Sequence, residues 1–237
     1  MLEWLIDLVY PRKCVLCRQI PDNEDERFQT LGLCRHCLET DYRLTEAERA
    51  SLPEDVFCCF RYEDRLRDAL MGLKYEGLKE SGVYFARWMV REGRSRADLA
   101  EVLKQCDAIV PVPLSEKRRR ERGYNQAKVI GDEIGRLIGK PCLELLKRTK
   151  DTRAQKNLGE IMRRRNLSGA FAPDEDMIAK LREAIPDKTD GKLCLLLLDD
   201  IYTTGATLGS CREVLQERFP EAKILSLTFA MAHGLHM

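Results

Sequence analysis

The chain has 237 residues, with 40 Lys and Arg against 39 Asp and Glu and a net charge of +1, so overall charge alone draws it to no polyanion. A hydrophobic fraction of 44% beside 33% charged residues excludes a disordered chain and suits one large domain, or one domain with a small appendage. The charge is unevenly spread: acids gather at 22–26 and 174–176, while cations concentrate at 117–122 and 147–165.

The opening segment, MLEWLIDLVY, is expected to form an amphipathic helix with Leu2, Leu5, Ile6 and Val9 on one face, docked on the rest of the protein. Glu3, Asp7 and the missing basic start argue against a signal peptide. The segment is also too short to cross a bilayer, and its acidic face would be repelled by anionic lipid. The expectation is a cytoplasmic protein without stable membrane insertion.

Two C-x2-C knuckles follow, Cys14-Val-Leu-Cys17 and Cys34-Arg-His-Cys37, sixteen residues apart. A C-x2-C turn presents two thiolates to one metal, and two such turns complete a tetrahedron. Soft ligands in that geometry favour zinc, with iron the lesser alternative. Disulfides are disfavoured in a reducing compartment. The intervening RQIPDNEDERFQTLGL is too polar to order itself, so a metal staple is expected. Four thiolates leave no open coordination position, which makes the expected role structural.

The other six cysteines, Cys58, Cys59, Cys106, Cys142, Cys194 and Cys211, lie mostly among apolar neighbours and read as core residues. With only three histidines, catalysis by cysteine or serine through a histidine base is not expected.

From residue 61 the pattern is α/β. Leu66, Ala69, Leu70 and Leu73 space as a helix face broken at Gly77, and a second helix is expected near 79–92. The run 106–112 reads as a buried strand, and a basic loop and a helix bearing Ala127, Ile130, Ile134, Leu137 and Ile138 follow it. Strands are expected near 142–146 and over LSGAF at 167–171, with a helix near 175–184 and a turn at PDKTDG. Lys192–Leu198 is the most apolar strand, a helix carrying Leu208, Cys211, Leu215 and Phe219 succeeds it, and AKILSLTFA closes the chain as a strand. Strands alternating with helices imply a parallel sheet with right-handed crossovers, and ligands bind at the carboxyl ends of such strands. The expected division is a helix and four-cysteine unit over 1–60, then an α/β domain over 61–237.

Asp199 and Asp200 end the strand LCLLLL, and Thr203, Thr204, Gly205, Ala206 and Thr207 form the turn into the next helix. Small residues at a helix N-terminus expose backbone N–H groups to a phosphate. The neighbouring carboxylates cannot contact that phosphate. They accept hydrogen bonds from vicinal hydroxyls, directly or through hydrated magnesium. The ligand these residues imply is a sugar phosphate with free hydroxyls; two acids before T-T-G-x-T exceed what an ordinary aspartate N-cap needs.

LLLLDDIYTTGAT resembles the signature of type I phosphoribosyltransferases. In that family the two acids hold the ribose hydroxyls of phosphoribosyl pyrophosphate (PRPP) and the loop amides bind its 5-phosphate. The resemblance implies those roles for Asp199, Asp200 and the stretch Thr203–Thr207, with magnesium accompanying the ligand. FRYEDRLRDALMGLKYEG at 60–77, VPVPLSEKRRRERGYNQA at 110–127 and TRAQKNLGEIMRRRNLSGAF at 152–171 narrow the resemblance to the ComF family of competence proteins. The amino-terminal four-cysteine unit agrees with that family.

By that resemblance the loop after VPVP is the pyrophosphate position, and it holds Lys117, Arg118, Arg119, Arg120 and Arg122. Residues 149–166, including Arg163, Arg164 and Arg165, correspond to the loop that closes over the site in catalytic members. Five cations exceed what one diphosphate needs, and the family's association with transformation implies single-stranded DNA as a further partner, with Tyr124 able to stack on a base. The expected function is therefore binding of PRPP or a related nucleotide and of single-stranded DNA during DNA uptake, alongside other uptake proteins. The alternative is an active phosphoribosyltransferase with an unidentified acceptor.

Overall fold

The fold is seen in a computed structural model that describes residues 11–21, 26–150, 169–188 and 193–232. The amphipathic segment 1–10, the basic residues Arg163, Arg164 and Arg165, and the two C-terminal histidines lie outside the described residues. In chain order the first half comprises α1 (Glu26–Leu31), α2 (Arg35–Glu39), α3 (Glu46–Ala50), β1 (Val56–Arg61), α4 (Asp64–Tyr75), α5 (Lys79–Ser95), α6 (Ala97–Gln105) and β2 (Ala108–Pro111). The second half comprises α7 (Glu116–Arg122), α8 (Gln126–Ile138), β3 (Leu146–Arg148), β4 (Phe171–Pro173), α9 (Glu175–Ala184), β5 (Cys194–Tyr202), α10 (Ala206–Arg218) and β6 (Lys223–Met231).

The leucine run of β5 cannot rest against water on either side, and the sheet is arranged accordingly. Four parallel strands lie in the order β1-β6-β5-β2. Leu195 to Leu198 pair with Ala108 to Pro111 on one flank and with Ile224 to Leu227 on the other. All four leucines have no exposed surface, as expected for a strand covered on both faces. Leu196 and Leu198 point into one core with Ile130, Ile134, Phe85, Trp88 and Phe229. Leu195 and Leu197 point into the other with Leu208, Cys211, Leu215 and Phe171. In the first core Phe229 stacks on Phe85 with centroids 4.4 Å apart and also meets Phe60 and Trp88.

The expected α/β architecture with a parallel sheet stands, and three local expectations change. The strands expected near 142–146 and 167–171 are displaced to β3 and β4, which pair antiparallel with each other and form a separate two-stranded sheet. Cys142 instead makes a single parallel bridge to Ile109. The basic run is helix α7, not a loop: Ser115 accepts from the Arg118 N–H, while Glu116–Arg120 and Lys117–Glu121 pairs at i,i+4 offset its like-charge repulsion. Helix α6, burying Leu99, Val102 and Leu103, was not foreseen. Among the described residues no helix is long and apolar enough to cross a membrane.

The four-cysteine segment shares the first core. Cys14, Val15, Leu16, Phe28, Leu31 and Cys37 belong to the same buried cluster as Leu66, Phe85 and Trp88. Trp88 Nε1–H donates to the Leu31 carbonyl at 2.7 Å, and an Arg87 guanidinium N–H donates to the Thr30 carbonyl. Strand β1, which leads out of this segment, is the edge strand against β6.

Candidate metal centre and ligand-binding sheet edge

At the first knuckle the chain turns tightly: the Arg18 N–H donates to the Cys14 carbonyl and the Cys14 N–H to the Gln19 carbonyl. Gly32 has φ +66°, and an added Cβ there would come within 2.8 Å of Val15 Cγ2, so only glycine fits that approach. The second knuckle opens on α2, with Cys34 at its N-cap position and Cys37 buried.

These turns bring the four sulfurs of Cys14, Cys17, Cys34 and Cys37 within 4.8 Å of one another, and Cys17 Sγ and Cys34 Sγ are 3.7 Å apart. A tetrahedron with zinc–sulfur bonds of about 2.3 Å has edges of about 3.8 Å, so the donor set fits zinc. Burial and the neighbouring thiols push the Cys37 thiol up, with Arg65 opposing them. A bound dication would reverse that preference and hold the thiolates. None of the ten cysteines is in a disulfide. Of the other six, Cys58, Cys59, Cys106, Cys194 and Cys211 are buried and Cys142 is partly so. Burial drives the thiols of Cys58, Cys106 and Cys142 up to about 12 and those of Cys59 and Cys211 well up, which suits core residues and not nucleophiles.

At the sheet edge, β5 runs on past its leucines to Tyr202, still paired with β6, so Asp199 and Asp200 do not terminate the strand as expected but lie within it, just beyond the last residue that pairs with β2. The Val112 N–H donates to the Leu198 carbonyl at 2.9 Å, which holds the segment between β2 and α7 beside the acids. Asp200 is buried, and its Oδ2 lies 2.9 Å from Lys74 Nζ of α4. Its backbone N–H donates to Asp199 Oδ1 at 2.8 Å. Burial first and the Asp200 charge second raise the Asp199 carboxyl to about 7, against the Asp200 N–H, Lys74 and Arg148, which favour its charged form.

The chain then turns through Thr203 and Thr204 into Gly205, which caps α10 with φ +72°. An added Cβ at Gly205 would come within 3.0 Å of the Tyr202 hydroxyl. No side-chain hydrogen bond caps the helix, and the Ala206 N–H makes only a long approach to Thr204 Oγ1, at 3.5 Å. Thr203 is exposed and Thr204 and Thr207 are half-buried. Asp199, Asp200 and the Thr203–Thr207 turn are thus contiguous at one edge.

The basic residues are more engaged than their formal charge implies. Arg119 pairs with Glu144 at 3.3 Å and Arg120 with Glu116 at 2.8 Å, while Lys117 lies 3.9 Å from Glu121. Arg122 donates to Gln126 Oε1 and to the Tyr75 hydroxyl, and lies over the Tyr75 ring. Arg118 is half-buried. Tyr124 is half-buried against the first core and its hydroxyl donates to the Leu73 carbonyl. It therefore fixes the end of α4 that carries Lys74.

Lys74 is the site residue that sequence reasoning missed. It follows Leu73 and lies four residues after Leu70, at the margin of the buried stripe of α4, and only its pairing with a residue distant in sequence marks it out. A cleft of about 1010 Å³ lies elsewhere, between the four-cysteine segment and α5, and is lined by neither acid.

The chain is 35% identical over 116 residues to a competence protein F of Haemophilus influenzae, a match spanning 48% of this chain and 46% of that relative. It is 31% identical over 204 residues to the competence protein ComFC of Bacillus subtilis, covering 83% of this chain and 71% of the relative. The DNA utilization protein YhgH of Escherichia coli K12 is 31% identical over 116 residues, 48% of this chain and 44% of that one. The chain thus spans about half the length of the Haemophilus and Escherichia relatives. No family model matches it.

Replacing Cys14 with Ser should lower metal content from about one ion per chain to a small fraction. Because the knuckles share the core of Phe85 and Trp88, the unfolding midpoint of the whole chain should fall with it. Elemental analysis and urea denaturation check both; a full metal load, or an unchanged midpoint, contradicts the arrangement.

Asp199 yields a pH prediction. Below the ordinary carboxylate range it is neutral in both folded and unfolded chains and contributes nothing. Between about 4 and about 7 the folded protein keeps a proton that the unfolded chain has lost, so stability falls as pH rises and the full penalty is present above about 7. Asp199→Asn keeps an oxygen for the Asp200 N–H and should stabilise the protein at pH 8, with a gain that fades toward pH 4. Urea denaturation across that range checks it, and a gain independent of pH counts against the raised carboxyl.

Proposed function

The chain belongs to the ComF family of competence proteins, and from that premise we propose that it binds PRPP or a related nucleotide together with single-stranded DNA and acts in DNA uptake. The observation that carries this reading is the acid pair near the end of β5, two residues before the strand gives way to a glycine-capped turn into α10 that no side chain caps. Backbone N–H groups of that turn receive the 5-phosphate, and Asp199 and Asp200 accept from the ribose hydroxyls. Magnesium enters with the pyrophosphate, whose oxygens it neutralises. The names of the relatives, two competence proteins and a DNA utilization protein, support the uptake role.

In this proposal α7 offers Lys117, Arg118, Arg119, Arg120 and Arg122 to the pyrophosphate or to a DNA backbone. Arg163, Arg164 and Arg165, which lie outside the described residues, are proposed for the same ligands, and other DNA-uptake proteins act with the chain in the cytoplasm. Tyr124 contributes by holding α4; in its observed position a stacking role would need the ring to leave the core. The zinc is structural, and we retain the division into a metal-bound unit over 1–60 and an α/β domain over 61–237.

Calorimetry with PRPP and magnesium tests the cradle. Asp199→Asn combined with Asp200→Asn should weaken binding by about two orders of magnitude, since each lost charged hydrogen bond costs roughly 1.5–3 kcal/mol. Unaltered affinity would make the motif structural.

The DNA arm is read from salt dependence. Each phosphate contact with a single strand adds about 0.7 to the slope of log affinity against log salt, so replacing Arg119 and Arg120 with Gln should lower the slope by about one to two units without altering sequence preference. Fluorescence anisotropy from low to physiological salt measures it; no binding at low salt would remove DNA from the function.

A further inference from the structure

In the proposed cradle the two carboxylates face the ribose, and the structure already supplies them with a cation. Lys74 Nζ is 2.9 Å from Asp200 Oδ2, and both side chains are largely withdrawn from water, with 14% and 12% exposed. The lysine is held from several sides. Its helix buries Leu66, Ala69, Leu70 and Leu73, and the carbonyl of Leu73 accepts from the Tyr124 hydroxyl and, at 3.5 Å, from Gln126 Nε2. The next residue, Tyr75, is engaged by Arg122. An ammonium fixed in this way cannot swing aside cheaply, because doing so would leave Asp200 buried and unpaired.

That geometry bears on how the site treats metals. Magnesium binds carboxylates directly or through its own waters and demands near-ideal octahedral space. An ion on the inner oxygen of Asp200 would have to share it with the Lys74 ammonium, a like charge within a few ångströms in a poorly hydrated place. Lysine has already neutralised the anion, which lowers the attraction a dication would feel. A sugar hydroxyl meets no such conflict, since it donates a hydrogen bond to a carboxylate whose remaining lone pairs are free.

Resting on the reading of this edge as a ribose-phosphate site, we propose that Lys74 is the resident cation of the acid pair, so that the carboxylates take the sugar hydroxyls directly and ribose-phosphate binding needs no divalent metal. Lys74 is then a positioning residue: it acts through Asp200, by pairing with that carboxylate and holding it correctly turned. Any magnesium that accompanies PRPP belongs to its pyrophosphate. The substrate class extends to ribose 5-phosphates that carry no pyrophosphate, including nucleoside 5′-monophosphates.

Ribose 5-phosphate is the discriminating probe, because it lacks the pyrophosphate that recruits magnesium in solution. Calorimetry on the full chain should give affinities within about twofold of one another in magnesium and in EDTA, with metal content measured to verify that the four-cysteine ion is retained. Lys74→Met should weaken binding in EDTA by about tenfold or more, as expected when a charged partner is lost, and magnesium should restore part of the loss. Lys74→Arg should keep metal-independent binding. A merely structural lysine would lower affinity equally in both conditions.

Binding of ribose 5-phosphate by the unaltered protein only when magnesium is present overturns the assignment of Lys74 and leaves the cradle intact, and this comparison needs no variant to fold. Equal losses for Lys74→Met with and without magnesium also overturn it. Failure of both ribose 5-phosphate and PRPP to bind in either condition overturns the reading of the cradle itself.

Discussion

The site depends on β5 being sealed on both faces up to Leu198 and then continuing without a break into two aspartates. Hydrogen bonding to β2 on one side and β6 on the other fixes the strand's register. Asp199 still pairs with Thr228, so the backbone has no freedom to carry the acids out to bulk water. Their placement is a consequence of the leucines before them. A carboxylate in that position must be paired, protonated or both, and the structure uses both solutions: Asp200 takes Lys74, and Asp199 has its carboxyl raised. Two adjacent residues of the same type thereby acquire different electrostatic characters.

A second constraint comes from the small size of the amino-terminal unit. A segment with so few apolar residues cannot build a core of its own, and two devices compensate. The four thiolates provide a donor set of tetrahedral dimensions, and Phe28, Leu31 and Leu33 are lent to the core built by α4 and α5. The Trp88 indole donates to the Leu31 carbonyl, which satisfies a backbone acceptor at the seam. Metal binding and packing of the α/β core are therefore one thermodynamic problem, although the sequence pattern separates them into two units.

What the sequence disclosed follows the range of the forces involved. Knuckle spacing, the apolar run of β5 before its two acids and the helix faces of α4, α8 and α10 are local patterns, and each appears where the residues imply it. The pairing of β3 with β4 was not legible, because three-residue strands carry too little periodicity to reveal direction. Helix α7 was obscured by its own charge: EKRRRER reads as a solvated loop until Glu116 and Glu121 are placed one turn from Arg120 and Lys117. Lys74 was hidden for another reason. In an amphipathic helix a lysine beside the apolar stripe is ordinary, and its role arises only from a contact with a residue far away in the chain.

The same pairing logic revises the electrostatics of the basic surface. Exposed ion pairs contribute about 0–1 kcal/mol each, so Glu116, Glu121 and Glu144 do little to stabilise the fold, yet they neutralise charge where a polyanion would approach. Lys117, Arg119 and Arg120 each have an acid within 4.0 Å, and Arg122 is committed to Tyr75 and Gln126. A phosphate entering this helix must displace carboxylates before it gains arginine, which favours a multivalent backbone over a lone anion: one phosphate replaces one weak pair with another, whereas a strand carrying several spreads the cost of ordering across many contacts and releases its own counterions. Of the two candidate uses of α7, the observed pairing therefore weights the nucleic-acid backbone above a single pyrophosphate.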